Sequence, residues 1–442
     1  MRVRGWNSIC TRWDLMELPR RSSRRITRSR SAGTRVKIIG AAFLWLTLPF
    51  LNSYGQARYE SDFIFPPGSQ GHVHASCLVE CPNGDLLAVW YENGPKLSSY
   101  EYEKDADKSD DVRIGGARRR PGAGAWGRPF VMSDTFGLSD NNPALIIDRQ
   151  HRLWLIHVTL LDVPQWTWGS SLVWYKISSD YQQPGPPHWQ KEGLLVPHIR
   201  GLDEVIQRYA RGPEAAQLKQ RLKNQMARRL GWMPRAHPLI LQDGTLLLPL
   251  GNENFNITAM ALTHDNGKTW VISHPVPGIG ISQPSVVRLK NGKLVAFFRD
   301  EGPDRRIKRS ESEDGGLTWS EVSTTQLPNP GSGIEAVMLR DGHLLMVYND
   351  RATSRDSLAV SISTDGGNTW KWTRHLENKA GGRFDYPSLI QAKDGSLDVT
   401  YSYNVQAIKY VHFNEEWVRQ GDGQSAKLSR QLSGRNSNDI RR

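Results

Sequence analysis

The chain has 442 residues, 38% of them hydrophobic, and a formal net charge of +12. Residues 1–37 hold ten Arg and one Lys against Asp14 and Glu17, so +9 of that charge precedes the body and only +3 remains after it. A near-neutral body excludes a nucleic-acid binder by charge, and the three cysteines leave no cluster with zinc-ligand spacing.

The basic stretch is followed by the apolar run Ile38–Leu51 and then by small and polar residues up to Ala57. That order predicts an export signal cut after Ala57. The run has 14 residues and contains Pro49, short for a membrane span; an uncleaved anchor is the alternative. Ser23-Arg24-Arg25 is a partial match to a twin-Arg export signal. Residues 1–57 are therefore read as basic region and signal, 58–419 as one folded body, and the polar 420–442 as a disordered tail. No stable membrane insertion is expected once the signal is removed. Cys10 falls in the removed segment. Cys77 and Cys81 sit four apart on a predicted strand, roughly 13 Å if extended, too far to bond to each other. Both are read as packing residues.

Along the body, a short strand is predicted at Tyr59–Phe65. Six times thereafter a turn opens an apolar strand, over 82–90, 148–158, 242–250, 290–298, 340–348 and 393–401. Five of the six turns carry Asp-Gly or Asn-Gly, which is a hairpin signal. After the third, fourth and fifth hairpins comes a second pattern, S/T-x-D-x-G-x-T-W, at Thr263–Trp270, Ser312–Trp319 and Ser363–Trp370. Its Asp accepts backbone N–H bonds in a tight turn, its Gly takes positive φ, and its Trp buries a large ring. Arg118–Trp126 and Ser179–Trp189 look like degraded versions after the first two hairpins. Two hairpin strands and the two strands flanking the Asp-turn make four per repeat. Six repeats predict an all-β, six-bladed β-propeller, with Tyr59–Phe65 closing the ring. Between the second and third hairpins, 202–230 places Leu218, Leu222 and Met226 at helical spacing. One or two helices on an insertion of about 200–230 are expected, either as surface decoration or as one wall of a cleft.

In a propeller, residues opening the first strand of each blade crowd one mouth of the central channel. That row holds His72, His74, Asn141, Asn142, Arg235, His237, Gln283, Glu335 and Tyr386. Residues ending the second strands form another row, with Glu92, His157, Glu253, Arg299, Asn349, Arg351 and Tyr403. Converging Arg, His, Glu and Tyr point to a site for a polar, anionic ligand.

The Asp-turns match the Asp-boxes of the sialidase superfamily, and the text around Gln283–Asp300, Asn329–Asp350, Arg355–Ser363 and Tyr386–Tyr403 resembles its BNR-repeat branch. The resemblance covers roughly residues 59–418. It implies an exported glycoside hydrolase acting on terminal acidic sugars of glycans, with no cofactor and no metal. Arg299 and Arg355 match carboxylate-binding arginines, and Tyr386 stands at the nucleophile's place. Asp110 or Asp111 falls where the acid/base Asp is expected. The sequence departs from the family where His72-Val-His74 replaces an Arg-Ile-Pro motif and Gln283 replaces a Glu. Arg235 is then a candidate third arginine. Glu335 is the candidate base for Tyr386, with Glu253 as the alternative. His72, His74, Gln283, Asn142 and His237 complete the expected substrate rim. A different acidic-glycan hydrolase or lyase, or a non-catalytic glycan-binding propeller, would use the same rim.

Overall fold

The computed structural model describes residues 55–94, 106–161 and 167–423. The signal expected in 1–57 lies outside the described residues up to position 54, and so does the tail beyond 423. Gln56 and Arg58 are tied to Asn414, whose side chain donates to the Gln56 carbonyl at 2.8 Å and accepts from the Arg58 N–H at 3.0 Å.

Six antiparallel sheets follow one another along the chain. Blade one is built from Val73–Glu80, Leu86–Asn93, Val112–Arg119 and Phe130–Ser133, and blade two from Ser139–Ile147, Leu153–Leu160, Ser171–Ser178 and Lys191–Leu195. Blade three has its innermost strand broken into Trp232–Met233 and Leu239–Ile240, both pairing with Leu246–Asn252; Ile257–Thr263 and Val271–Ile272 lie outside them. Blade four runs Ile281–Arg288, Leu294–Asp300, Arg306–Ser312 and Ser323–Pro328. Blade five runs Glu335–Met338, Leu344–Tyr348, Ser357–Ser363 and Trp372–Asn378. Blade six combines Phe384–Gln391, Leu397–Tyr403 and Ala407–Phe413 with the early strand Tyr59–Phe63, which pairs from Tyr59 with Phe413 to Phe63 with Lys409. The ring thus closes with a strand from the far end of the sequence. The predicted six-bladed propeller is the observed fold.

The inner strands are buried on both faces, as their unbroken apolar runs dictate. Core clusters lie between neighbouring blades, for example Val347, Val360, Leu389 and Val399 between blades five and six. Each intact Asp-turn is held as its residue types require. Asp314 accepts from the Thr318 N–H at 3.0 Å and the Thr318 hydroxyl at 2.6 Å, while the Gly316 N–H donates to Ser312 Oγ at 2.9 Å. The turn glycines also seat the turn on the preceding blade. A Cβ on Gly267 would lie 2.8 Å from the Tyr175 ring, one on Gly316 2.5 Å from Leu247, and one on Gly367 2.6 Å from the Phe297 ring. Of the three box tryptophans only Trp319 is buried; Trp270 and Trp370 are half-buried, Trp270 tilted against the Tyr175 ring and Trp370 edge-on to the Phe297 ring.

The insertion contains three short helices, Leu202–Tyr209, Glu214–Arg221 and Gln225–Arg229. Leu218 packs into the core, Leu222 is partly buried against it, and Met226 is exposed. The apolar period is therefore broken by the turns between helices. A further short helix, Glu415–Arg419, ends the last blade, and Asp422 beyond it accepts the His375 N–H at 3.1 Å. Cys77 and Cys81 are buried and free. No helix among the described residues is long and apolar enough to cross a membrane.

Candidate active site

A single device repeated around the channel aims side chains at its mouth. In blades one, two, four and six the innermost strand carries a β-bulge, between His74 and Cys77, Asn141 and Ala144, Ser282 and Ser285, and Asp385 and Ser388. A bulge adds an unpaired residue and redirects its side chain. Those residues are Ala75, Asn142, Gln283 and Tyr386, with φ of 53°, 46°, 50° and 55°. Counting back from the paired residues Leu239 and Met338 puts Arg235 and Gly333 at the same level in blades three and five. Blade five needs its glycine. A Cβ on Gly333 would stand 2.8 Å from Arg235 Nε, 3.1 Å from Gln283 Oε1 and 3.4 Å from Tyr386 Cδ1. Arg235, Gln283 and Tyr386 therefore converge over Gly333.

Tyr386 is the centre of the group. Its hydroxyl oxygen accepts from Arg299 Nη1 at 2.9 Å and from Gln283 Nε2 at 3.1 Å. Its ring lies 4.3 Å from the His74 ring, 4.9 Å from the Arg235 guanidinium and 5.7 Å from that of Arg355. Two N–H donors on one oxygen, one of them cationic, stabilise negative charge that develops there.

The arginines are fixed by carboxylates of the protein. Asp385, fully buried, accepts from Arg355 Nη1 at 2.6 Å and Arg383 Nε at 3.0 Å, and lies 3.5 Å from His74 Nδ1. Burial alone would raise its pKa, but the Arg355 and Arg383 guanidinium groups hold it below the usual carboxylate range. Arg299 pairs with Glu301 at 2.7 Å. Burial pushes His74 down to about 3, so its ring is neutral, with Nδ1 2.8 Å from Ser402 Oγ. Glu253 is driven the other way. Burial raises it to about 7 against the pull of Arg299.

Tyr386, Arg299, Gln283, His74, Arg355, Arg383 and Glu253 line a cavity of about 230 Å³ with Asn142, Trp168, Met233, Tyr91 and Asp107. Of the expected residues, His74, Asn142, Glu253, Gln283, Arg299, Arg355 and Tyr386 line it. Arg235 is buried beneath the Tyr386 ring and donates to the Pro387 carbonyl. His72 stands just behind, its ring 6.0 Å from that of Tyr91.

Four expected residues place differently. Asp111 is buried, with Oδ1 bound by Asn93 Nδ2 at 3.0 Å and Ser109 Oγ at 2.5 Å, so its carboxylate holds the loop. Asp110 does not line the cavity; Asp107, on the short turn Ala106–Lys108, does. Glu335 and His237 sit one step deeper, on the strand face below the bulges. Glu335 Oε1 accepts from the His237 N–H at 2.8 Å and faces Nδ1 at 2.7 Å, while Oε2 accepts from the Leu389 N–H at 3.0 Å. His237 Nε2 faces the Leu78 carbonyl at 2.7 Å, so both ring nitrogens meet oxygen acceptors and the ring is an imidazolium. Burial opposes that charge, but Cys77 and Glu335 raise His237 well above its ordinary value. Glu335 is thus spent on joining blades three, five and six and is not beside Tyr386. Two charged lining residues, Asp107 and Arg383, were not among the expected ones. Strand alternation offered a signal for Arg383, which shares a face with Asp385 two residues on.

A family model described as a BNR repeat-like domain matches residues 84–399, well over half of the chain. The chain belongs to this sialidase-like BNR-repeat family. Among its relatives is a sialidase of Micromonospora viridifaciens, 26% identical over 393 residues, which cover 82% of this chain and 55% of the relative. A sialidase of Paraclostridium sordellii is 28% identical over 42% of this chain and 51% of its own length. The sialidase-like chain spans about half the length of these relatives. Its fold is similar to that of a protein of unknown function from Dyadobacter fermentans (TM-score 0.62, 17% identity, 81% of this chain and 99% of that one). It is also similar to the NanB sialidase of Streptococcus pneumoniae (TM-score 0.60, 11% identity, 81% of this chain and 71% of that one).

Proposed function

We propose that this chain is an exported glycoside hydrolase that removes a terminal acidic sugar from glycans, with Tyr386 as nucleophile. The observation that carries the reading is the Tyr386 hydroxyl held by Arg299 and Gln283 in a cavity lined also by Arg355 and Arg383. Arginine forks suit a carboxylate on the sugar. A neutral phenol approaches the anomeric carbon of such a sugar without the repulsion a carboxylate nucleophile would meet. Asp107 is the acid that protonates the departing glycosidic oxygen as the C–O bond breaks. Tyr386 oxygen bonds to the anomeric carbon, and its proton passes to Glu253, the carboxylate of the cavity with a pKa near neutrality. Water, deprotonated by Asp107, then displaces Tyr386, which takes its proton back from Glu253, and the sugar is released.

The neutral His74 ring beside Tyr386 favours a second reading, a lyase in which that pair shuttles the proton of a uronate. Incubation with sialylated and uronate-containing glycans decides between them. Release of a free acidic sugar supports the hydrolase. An unsaturated product absorbing in the near ultraviolet supports the lyase. Binding without turnover of any of them would leave only a glycan-binding propeller.

A further inference from the structure

The two degraded Asp-turns leave a feature that the Tyr386 site does not use. In blades three to five the turn glycine packs against an apolar side chain or ring of the preceding blade. In blade two the degraded turn meets a cation instead. Arg118, at the end of blade one's third strand and 7% exposed, donates Nε to the Gly185 carbonyl at 2.9 Å and Nη2 to the Tyr181 carbonyl. Its third nitrogen, Nη1, is buried with no hydrogen-bond partner, and among the described residues no carboxylate pairs with the guanidinium. The Cys81 thiol contacts the guanidinium but does not balance its charge, since burial pushes the thiol up to about 11 and keeps it neutral.

Arg118 lines a cavity of about 550 Å³ enclosed by both degraded turns. Trp126 lines it too, largely buried and with its indole N–H unpartnered. Arg120 and Arg128 stand exposed on its rim, and Gln182 adds an amide; Asp85 is its one carboxylate. A cationic lining with two unsatisfied buried donors calls for an anionic, acceptor-rich ligand. The volume exceeds that of a lone inorganic anion and falls in the range of small-molecule sites. The amide and indole donors suit hydroxyl oxygens. The hairpin and Asp-turns lie at the opposite end of the strands from the bulges, so this cavity is on the face away from Tyr386.

We infer that the degraded Asp-turns of blades one and two form a second binding site, for a saccharide bearing a carboxylate, on the face opposite the Tyr386 cavity. Binding there is independent of catalysis and would tether an acidic glycan to the protein.

The test follows the Trp126 indole N–H in a ¹⁵N-labelled protein, assigned with Trp126→Phe, so that ligand at the Tyr386 cavity does not confuse the signal. The probes are a glucuronate-containing disaccharide, its neutral glucose counterpart and inorganic sulfate. The acidic disaccharide is expected to shift the indole signal saturably, and the neutral one to leave it unchanged. The exposed pair Arg120→Ala and Arg128→Ala should weaken that binding at least tenfold while turnover of a small substrate stays the same. Three results would overturn the site: no saturable shift, equal binding by the double variant, or sulfate saturating at the same concentration as the disaccharide.

Discussion

Tyr386 occupies the left-handed region at φ 55°, a conformation that costs a non-glycine residue about 1–2 kcal/mol. The surrounding bulge, Gly333 and the Arg235 stack maintain it, and the result is a phenol aimed across the channel rather than along the sheet. Replacing Tyr386 with Phe keeps the ring stack and removes only the oxygen. Turnover should fall by at least about 10³-fold with binding of the acidic sugar changed little; full activity in steady-state assays of that variant would remove the nucleophile role. Glu253 supplies a pH signature. With a pKa of about 7, it is the free carboxylate, and so a base, only above that pH. The kcat/KM profile should therefore rise through about pH 7, and Glu253→Gln should flatten that limb. A rising limb that survives in Glu253→Gln would assign the base elsewhere.

At the scale of the element, the Asp-turn glycines do two things at once. Gly316 has φ 92° and leaves no room for a Cβ, which would meet Leu247 at 2.5 Å. Gly316→Ala should destabilise the propeller by about 1–3 kcal/mol, seen as a lower Tm with activity intact below it. An unchanged Tm would mean that the turn is not a blade-to-blade contact in solution. A second element carries charge. His375 lies between Asp350 at 2.7 Å and Asp422 at 2.5 Å, and its hydrogen bonds to them raise it to about 9. A raised pKa stabilises the fold fully below the unfolded value near 6.5 and loses that stabilisation as pH rises through about 9. Thermal melts should show a decline over that window that is absent in His375→Gln. Such turns, hairpins and strand periods are local, which is why six blades were legible in the sequence. The lining of the candidate cavity was legible where it repeats the blade, as at Gln283, Arg299 and Tyr386. It was not legible at Asp107, because that residue reaches the cavity through a loop with no period to count. Glu335 misled for a related reason. Position in the strand gives the level only to within one bulge, and one level down its carboxylate faces His237 and the Leu389 backbone.

For the whole molecule, the blades depend on the ring being shut. Tyr59–Phe63 is the outer strand of blade six and is joined by backbone pairs to Ala407–Phe413, with Tyr59 stacked 4.6 Å from Trp417. A chain beginning at Ile64 should retain blades two to five but expose the edge of blade six. Limited proteolysis should then cut first within 384–413, whereas an unchanged cleavage pattern would show that the closing strand is dispensable. The same pairing sets an order of events during synthesis. Residues 59–63 leave the ribosome before any of their partners exist, and about 350 positions of chain must follow before 407–413 emerge. Blades one to five can form in turn as the polypeptide lengthens, each against the one before. The earliest strand must wait, unpaired, through all of them, and it seats last. Completion of the fold therefore waits on the last blade, with the slow, long-range character that distant pairings impose.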